Sequence, residues 1–404
     1  MSIVIIGSLD TKGVEVAYIR DLIQRAGQTT SVLDSGTLGS AATSADFDRA
    51  QVALAGGESL SDLLASGDKA RCQNTMTAGL VNIVSRLFAQ GHVDGVIAIG
   101  GAQGTAMATA AMRALPVGIP KVMVSTVACG KATFGPYVGT KDVTMIHSVA
   151  DILGLNSVTR KILAQAAAAV VAMSAVRIAA REEKELVAIT QAGVTTPGVM
   201  AIKDRLENLG FEVIAFHCNG IGGQAMEELI ADDVVKGVID FSPHEVTDLL
   251  YDGMMPAMPG RMTVAGKVGI PQIVAPGCAD VRLHEWRDDW SPDLCGRAFV
   301  RHSPTHTHFR TTAAEMSAVA HFIAERLNAG KGPRAAIIPL RGFSMLNREG
   351  APLYDAAANA GYVETMRAEL APDVKRVEVD AHINDAEFAD ATVKLFLELR
   401  SEKG

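Results

Sequence analysis

The sequence predicts an α/β protein with two open, doubly wound and mostly parallel sheets, each flanked by helices. Two observations support this fold class. The chain has 404 residues, which is longer than a single hydrophobic core usually grows. Short runs rich in valine and isoleucine recur through both halves, and each is followed by turn residues and a helical pattern, as in repeated βα units.

Ten of these apolar runs have the length and composition of buried parallel strands. Four lie in the first half, at residues 3–6, 29–33, 95–99 and 121–124. Six lie in the second half, at residues 186–189, 212–216, 237–239, 272–274, 335–338 and 376–379. We therefore expect one sheet in each half of the chain.

Two segments between the strands organise the chain. A long helical pattern from about residue 156 to residue 180, followed by charged residues, separates the two sets of strands. This predicts an N-terminal domain, 1–181, and a C-terminal domain, 182–404. Residues 36–67 are rich in small and polar residues and lack a strand pattern. They predict a long excursion of the kind that forms lids or interface arms.

Composition and charge argue against several classes of protein. The formal net charge is -8 and no basic block occurs, so we expect no nucleic-acid partner. The five cysteines are widely spaced and lack CxxC spacing, which predicts no disulfide framework and favours the cytoplasm. The longest apolar run, 163–176, is short for a bilayer, so we expect a buried helix and no membrane partner.

Three strand tips in the first half are candidate phosphate sites. Ligands of open α/β sheets bind beyond the carboxyl ends of the strands, where glycine lets the backbone approach an anion closely. Any βα turn favours glycine, but three such loops at one sheet edge favour a ligand. The candidate binding residues are Gly7, Ser8, Asp10, Thr11, Lys12, Gly100, Gly101, Gln103, Gly104, Thr105, Ser125, Thr126 and Gly130.

The strand tips of the second half carry side chains suited to acid and base chemistry. We predict His217, Glu245 and Asp280 as catalytic residues, because imidazole and carboxylate groups transfer protons or bind metals. The alternative for each is a hydrogen-bonded loop residue. A glycine-rich turn nearby is a further candidate anion site, formed by Gly220, Gly222 and Gly223.

Arg310, Thr311 and Thr312 form a candidate anion clamp in front of a helix predicted to begin at about residue 313. A guanidinium beside a helix N-terminus suits a carboxylate or a phosphate. The alternative is that Arg310 pairs with Asp280 or Glu245 and holds loops together.

Two histidines just before this clamp are candidate metal ligands. His306 and His308 are two residues apart and share one face of an extended segment. They are either metal ligands or exposed loop histidines.

Six longer segments resemble the UPF0261, or Tm-1-like ATP-binding, family. They are LDTKGVE at 9–15, ATAAMRALP at 108–116, MVST at 123–126, DILGLN at 151–156, GIGGQAME at 220–227 and DAHIND at 380–385. The resemblance covers the chain almost end to end. It implies two Rossmann-like domains, each a doubly wound, mostly parallel sheet. It also implies binding of ATP with magnesium and self-association into a dimer or higher homo-oligomer, without implying a known reaction.

The chain departs from the family's usual sequence at the strand tips. The family usually has GGSGGT where this chain has GGAQGT, so Gln103 replaces a glycine in the expected phosphate cradle. Other departures place Cys129 after the fourth strand, His244 after the seventh, and His306 and His308 at usually apolar positions. Such chemically active replacements favour a pocket adapted to another ligand over neutral drift.

Three functions remain in competition. The preferred one is binding of ATP or a related phosphate-bearing small molecule in a cleft between the domains, as a binding protein or an ATP-dependent metabolic enzyme. The second is an enzyme that does not use ATP and acts on an acidic small molecule through His217, Glu245 and Arg310. The third is an interaction module that a nucleotide regulates. No standard P-loop, GxSxG, HExxH or kinase motif assigns a reaction.

Overall fold

The computed structural model of the chain describes residues 1–129, 135–178, 184–287 and 289–402. The chain divides into two compact units, Met1–Ala180 and Arg181–Gly404. Each unit contains a parallel sheet with helices packed on both faces. This confirms the predicted fold class, two Rossmann-like doubly wound sheets.

The first unit has a five-stranded parallel sheet in the order β2-β1-β3-β4-β5. Its strands are β1 (Ser2–Gly7), β2 (Thr29–Asp34), β3 (Gly95–Gly100), β4 (Lys121–Ser125) and β5 (Val143–His147). Its helices are α1 (Leu9–Arg25), α2 (Arg49–Ala55), α3 (Leu60–Ser66), α4 (Lys69–Ala89), α5 (Ala102–Arg113), α6 (Gly135–Val138) and α7 (Ser157–Ala175). The strand order reverses between β1 and β3, where doubly wound sheets bind ligands.

Burial on both faces explains why these strands are continuous apolar runs. In β1, Ile3 and Ile5 pack with α1 and α7, whereas Val4 and Ile6 pack with α4 and α5 on the opposite face. A strand covered by helices on both sides needs apolar residues at every position. Four of the five strands therefore had a clear sequence signal, and β5, which is only partly buried, did not.

Helix α7 is the one helix in the described ranges that is long and apolar enough to cross a membrane by length and composition. The core helix of a soluble protein passes the same test. Leu163, Ala166, Ala167 and Val170 bury one side of α7 against α1 and the sheet. The predicted helix is present, but it is buried along one side and not all round.

The second unit has a six-stranded parallel sheet in the order β14-β13-β9-β8-β6-β7. Its strands are β6 (Leu186–Gln191), β7 (Glu212–His217), β8 (Gly237–Asp240), β9 (Gln272–Val274), β13 (Arg334–Pro339) and β14 (Lys375–Val379). Its helices are α8 (Thr196–Asn208), α9 (Ile221–Ala231), α10 (His244–Leu250), α11 (Val264–Val268), α12 (Ala313–Ala329), α13 (Ala356–Glu369) and α14 (Ala386–Ser401). The strand order reverses between β6 and β8.

A small antiparallel sheet, not expected from the sequence, is inserted between β9 and α12. It contains β10 (Val281–His284), β11 (Phe299–Arg301) and β12 (Thr307–Arg310), in the order β10-β12-β11. An aromatic cluster formed by Trp286, Trp290, Phe299 and Phe309 packs on it, with Trp290 and Phe309 ring centroids 4.6 Å apart. The three strands are short and mix polar with apolar residues, which removes the sequence signal.

Candidate functional site

A cavity of about 480 Å³ lies at the carboxyl ends of β1 and β3, where the first sheet reverses its strand order. We call it the first cavity. Its volume is typical of a small-molecule site. It brings together eight of the predicted binding residues: Ser8, Asp10, Thr11, Lys12, Gly100, Gly101, Gln103 and Gly104.

Three helices begin at the first cavity: α4 is capped by the Asp68 side chain, whereas α1 and α5 have no side-chain cap. The N-cap of α1 is Ser8, whose hydroxyl accepts no hydrogen bond from the helix, and that of α5 is Gly101, which has no side chain. At the start of α1, the Leu9 N–H donates to Asp34 Oδ1 at 2.9 Å, so a carboxylate of the protein already lies there. The first turn of α5 keeps backbone N–H groups that no residue within the helix can accept. The α5 start therefore has the stronger potential for an external anion.

Packing within the protein requires one of the three glycines at or just after the end of β3 but not the other two. A Cβ on Gly100 would lie 2.8 to 2.9 Å from backbone atoms of Gly104 and Thr105, so the turn itself requires Gly100. A Cβ on Gly101 or Gly104 would meet nothing closer than 3.7 Å. Packing inside the protein does not require these two glycines, and they keep the cavity floor open.

Asp10 lines the first cavity and has one carboxylate oxygen without a partner within the described residues. Asp10 Oδ2 accepts hydrogen bonds from the backbone N–H groups of Leu38 and Gly39, at 2.7 and 3.2 Å. Asp10 Oδ1 is buried and has no hydrogen-bond partner among the described residues. Burial also raises the pKa of nearby Asp34, and the negative charge of Asp10 adds to this effect.

Four other predicted residues support the strand tips and do not line the first cavity. Thr105 and Ser125 are buried, and their hydroxyl oxygens lie 2.7 Å apart. The Thr126 N–H donates to the Gly100 carbonyl at 3.2 Å, and a Cβ on Gly7 would lie 2.7 Å from a Val16 methyl group. The predicted direct contacts of these residues with a ligand are thus replaced by internal ones. Gly130 lies outside the described residues.

The excursion after β2, which the sequence predicted as a lid or interface arm, supplies a wall of the first cavity. Helices α2 and α3 form within it, and Leu38, Leu63 and Leu64 line the cavity together with Met107 of α5. Leu38 is 84% exposed and Leu64 is 46% exposed. These apolar side chains in a polar segment were the signal that could have indicated a ligand-covering role.

A second cavity, of about 530 Å³, lies at the carboxyl ends of β6, β7, β8 and β9 in the second unit. Predicted His217 lines it, as do His244, His306 and His308. His302 also lines it, and its ring stacks on that of His308 with centroids 4.9 Å apart. No group of three or more His, Cys, Asp or Glu side chains is arranged to hold a metal in the described part of the chain. Sequence reasoning missed Cys278, which also lines this cavity.

Glu245 does not line the second cavity, contrary to its predicted catalytic role. Its Oε1 accepts a hydrogen bond from Arg261 Nε at 2.6 Å, and its Oε2 accepts one from the Gly220 N–H at 2.7 Å. The carboxylate is fully buried, so both oxygens are engaged inside the protein. An internal anion thus lies at the start of α9, where the sequence predicted an external one.

The glycines of the α9 turn are required by packing, which is why they do not form an anion cradle. A Cβ on Gly222 would lie 1.9 Å from the His217 carbonyl oxygen, and one on Gly223 would lie 1.8 Å from Glu245 Oε1. Gly220 has a φ of 80°, and its Cβ would lie 2.4 Å from the Pro256 carbonyl oxygen. Each glycine fits a close contact within the protein.

Arg310 is buried and holds segments of the second unit together. Its Nη1 donates to the Asp280 carbonyl at 3.0 Å and to Thr311 Oγ1 at 2.7 Å. Its Nη2 donates to the Asp355 carbonyl at 3.2 Å and to Asn359 Oδ1 at 2.7 Å. These contacts engage the guanidinium inside the protein, as in the alternative of a structural brace, but they reach the main chain of Asp280 and not the carboxylate of Asp280 or Glu245.

The remaining residues of the predicted clamp and the predicted catalytic Asp280 are also engaged internally. Thr312 is the N-cap of α12, and its hydroxyl accepts a hydrogen bond from the Glu315 N–H at 3.2 Å. Thr311 is buried behind Arg310. Asp280 is buried and its Oδ2 accepts a hydrogen bond from Ser344 Oγ at 2.7 Å, so it does not line the second cavity.

Arg310→Lys is expected to lower the free energy of unfolding by about 1.5 to 3 kcal/mol, the range for hydrogen bonds to charged groups. Lysine keeps the charge but cannot reach the acceptors on both sides of the guanidinium. Urea denaturation checks this value, and Arg376→Lys on a partly exposed surface is the control. Wild-type stability together with weakened binding of an anionic ligand would instead return Arg310 to the role of a clamp.

The two sheets, each with a cavity where its strand order reverses, define the chain as a two-unit doubly wound α/β protein. Residues 1–179 match the N-terminal domain of the uncharacterised protein family UPF0261, and residues 184–400 match its C-terminal domain. The chain therefore belongs to the UPF0261 family, which confirms the resemblance stated above.

Relatives over nearly the full length support this membership. The chain is 41% identical over 401 residues to a UPF0261 protein of Clostridium tetani, covering 98% of each chain. It is 36% identical over 401 residues to a UPF0261 protein of Rhizobium meliloti, again covering 98% of each. It is also 34% identical over 338 residues to the ToMV susceptible protein tm-1(GCR26) of Solanum lycopersicum. That match covers 81% of this chain and 44% of the tomato protein, so the family is Tm-1-like.

Proposed function

We propose that the first unit binds ATP or a related phosphate-bearing small molecule in the first cavity. The observation that carries this proposal is the uncapped start of α5 beside Gly101 and Gly104, two glycines that internal packing does not require. A phosphate there accepts hydrogen bonds from backbone N–H groups and meets the positive end of the helix dipole. Lys12 and Lys69 line the same cavity and favour an anion.

The walls of the first cavity suit a ligand that carries an apolar ring in addition to phosphate. Leu38 and Leu64 expose apolar surface to solvent at the cavity, and a nucleobase packed against them would remove this surface from water. Backbone N–H groups on one side and leucines on the other match the two ends of a nucleotide. This arrangement favours ATP over inorganic phosphate.

Asp10 fits the magnesium ion that accompanies ATP. Magnesium in such sites is held by one or two carboxylates together with phosphate oxygens and water. Asp10 lines the first cavity, and its Oδ1 is a buried carboxylate oxygen that lacks a partner within the described residues. Bound magnesium would neutralise phosphate charge next to Asp10 and Asp68.

Gly104→Val is expected to weaken ATP binding by about tenfold or more, equivalent to about 1.4 kcal/mol. The valine side chain would occupy the space that a phosphate needs in order to reach the α5 start. Isothermal titration calorimetry with Mg-ATP measures the effect, and circular dichroism with a melting curve checks the fold. Because a Cβ at residue 104 meets only ordinary contacts, the fold should tolerate the change.

Gly193→Val is the matched control, because Gly193 begins a short helical turn at the second cavity and a Cβ there meets nothing within 4 Å. It should leave ATP affinity at the wild-type value. Unchanged ATP affinity in a folded Gly104→Val protein would remove the first cavity from the proposal. Loss of ATP binding in the Gly193→Val protein alone would move the nucleotide to the second unit.

Three further proposals concern the whole protein. We expect a homo-oligomer, a cytoplasmic location, and a small molecule as ligand in preference to nucleic acid or membrane. The net charge of -8 is consistent with this preference, because polyanions repel an acidic protein. Size-exclusion chromatography with light scattering, with and without Mg-ATP, tests the oligomer and its dependence on nucleotide.

A further inference from the structure

We propose that the second unit carries a separate cysteine-dependent acyl-transfer site, in which Cys278 is the nucleophile, His244 its proton partner and Asp248 a positioning carboxylate. The substrate class is a small ester, thioester or amide that fits the second cavity. This activity is independent of nucleotide binding in the first unit. It rests on the backbone at Cys278, the contacts of His244 and the shape of the cavity.

Cys278 has a backbone conformation that side-chain-bearing residues seldom adopt. Its φ is 58°, in the left-handed region that favours glycine. The conformation is held in place, since the Cys278 N–H donates to the Phe343 carbonyl at 2.9 Å and the Gly277 N–H donates to the Phe241 carbonyl at 3.0 Å. A strained cysteine in a sharp turn after a parallel strand is the arrangement that presents a nucleophile to a cavity.

His244 and Asp248 form an ion pair, and backbone hydrogen bonds hold Asp248 in position. They are one helical turn apart on α10, with His244 Nε2 3.4 Å from Asp248 Oδ2. Asp248 also accepts hydrogen bonds from the backbone N–H groups of Met255 and Leu283, each at 3.0 Å. His244 lines the cavity and is buried, and its Nδ1 has no hydrogen-bond partner among the described residues. A third group that orients the base of a nucleophile completes a triad.

The charges around Cys278 and His244 favour an imidazolium beside the sulfur. Burial lowers the pKa of His244, but Asp248 and the Cys278 sulfur raise it by more, so the net pKa lies well above the ordinary value. Burial raises the pKa of Cys278, and although His244 lowers it, the net pKa lies above the ordinary value, with Asp280 and Asp248 adding to the rise. His308 also faces His244 and is repelled by its positive charge. The rate of acylation should therefore depend on deprotonation of the Cys278 thiol. The positive charge of His244 should stabilise the resulting thiolate.

The reaction that this arrangement supports begins when the Cys278 thiol loses its proton to water, which leaves a thiolate beside the His244 imidazolium. The sulfur electron pair forms a bond to the substrate carbonyl carbon, and the bond from that carbon to its oxygen, sulfur or nitrogen leaving group breaks. The imidazolium gives its proton to the leaving group. Neutral His244 then takes a proton from water, which attacks the acyl-cysteine. The acid leaves, and the thiolate and imidazolium are restored.

The lining of the second cavity suits an uncharged acyl group. Val194, Met255 and Leu283 provide apolar surface beside Cys278. Burial lowers the pKa of His308 to about 4, so its ring is neutral at pH 7. The His308 Nδ1 is buried and lacks a partner within the described ranges, which makes it suited to a hydrogen bond with the substrate.

Cys218 is a built-in control, because it lines the same cavity and is buried as well. Its thiol donates a hydrogen bond to the Ser242 carbonyl. Burial raises the pKa of Cys218 well above the ordinary value, and the negative charge of Glu245 adds to this. Two cysteines thus share one cavity, but the pKa of Cys278 is lowered by the His244 imidazole, whereas that of Cys218 is raised by the Glu245 carboxylate.

The test is acylation of the full chain by p-nitrophenyl acetate, with stopped-flow detection of p-nitrophenol and peptide mapping by mass spectrometry. We expect a burst close to one equivalent per chain and an acetyl group on Cys278 but not on Cys218. His244→Gln should slow the burst by about 10² to 10⁴-fold, the usual contribution of general acid–base catalysis. Cys278→Ser should abolish the burst, and Cys218→Ser should retain it.

The pH profile separates a positioning role of Asp248 from a purely structural one. Asp248→Asn removes the charge that keeps His244 protonated, so the rise of the acylation rate with pH should move to higher pH. The wild-type peptide map decides the proposal even where a variant does not fold. An acetyl group found only on the exposed Cys129 and Cys295, or equally on Cys218 and Cys278, would overturn it. So would a folded His244→Gln protein with the wild-type rate and pH profile.

Discussion

Arg261→Met is expected to lower the free energy of unfolding by about 3 to 5 kcal/mol, the cost of removing one partner from a buried ion pair. Arg261 is fully buried and is surrounded by three buried carboxylates. Its Nε lies 2.6 Å from Glu245, its Nη1 lies 2.9 Å from Glu227, and its Nη2 contacts Asp240. Without the guanidinium, three negative charges would face one another in the interior.

Urea denaturation of the wild-type and Arg261→Met proteins measures this loss. Arg341→Met is the matched control, because Arg341 also pairs with a carboxylate, Asp380, but both side chains are exposed. Surface pairs contribute about 0 to 1 kcal/mol, since water and salt screen them. If the two variants lost equal free energy of unfolding, the buried cluster would contribute no more to stability than an exposed ion pair.

Acidification from pH 6.5 to pH 4 should destabilise the wild-type protein more than a His308→Gln variant. Burial lowers the pKa of His308 from 6.5 to about 4. Between these values the unfolded chain binds a proton at residue 308 and the folded chain does not, so stability falls as the pH falls. The difference in pKa corresponds to a loss of about 3 kcal/mol at pH 4, at 1.36 kcal/mol per pKa unit.

Urea midpoints measured at several pH values for both proteins check this prediction. Burial also lowers the pKa of His284 and of His382, which contributes to the acid loss in the same direction. Both histidines are present in the two proteins, so the difference between the curves isolates residue 308. Parallel curves for wild type and His308→Gln would contradict a depressed pKa at this position.

The parallel sheets could be predicted from the sequence because their strands are buried on both faces. Val187 and Ile189 pack on one face of β6 and Ala188 packs on the other, so every position had to be apolar. The antiparallel sheet could not be predicted in this way. In β12, polar Thr307, His308 and Arg310 are buried by neighbours far away in the sequence. Nothing local to 307–310 indicates that burial.

The candidate site shows the same limit at the level of single residues. Gly104 and Gly223 look alike in the sequence, since each lies near the start of a helix after a strand. The structure separates them, because only Gly223 is pressed against an internal side chain. Cys278 gave no sequence signal at all, since its function would depend on a positive φ and on His244, which lies 34 positions earlier in the chain.

The aromatic cluster on the antiparallel sheet gives the protein an intrinsic optical reporter. The chain has two tryptophans, and both belong to this cluster. Light absorbed above the tyrosine band is therefore emitted from the second unit alone. Trp290 packs against Phe309. Phe309 follows His308 in the chain, and His308 lines the second cavity. Emission spectra consequently sense the surroundings of the second cavity without any added label, whereas the first unit contributes no indole signal.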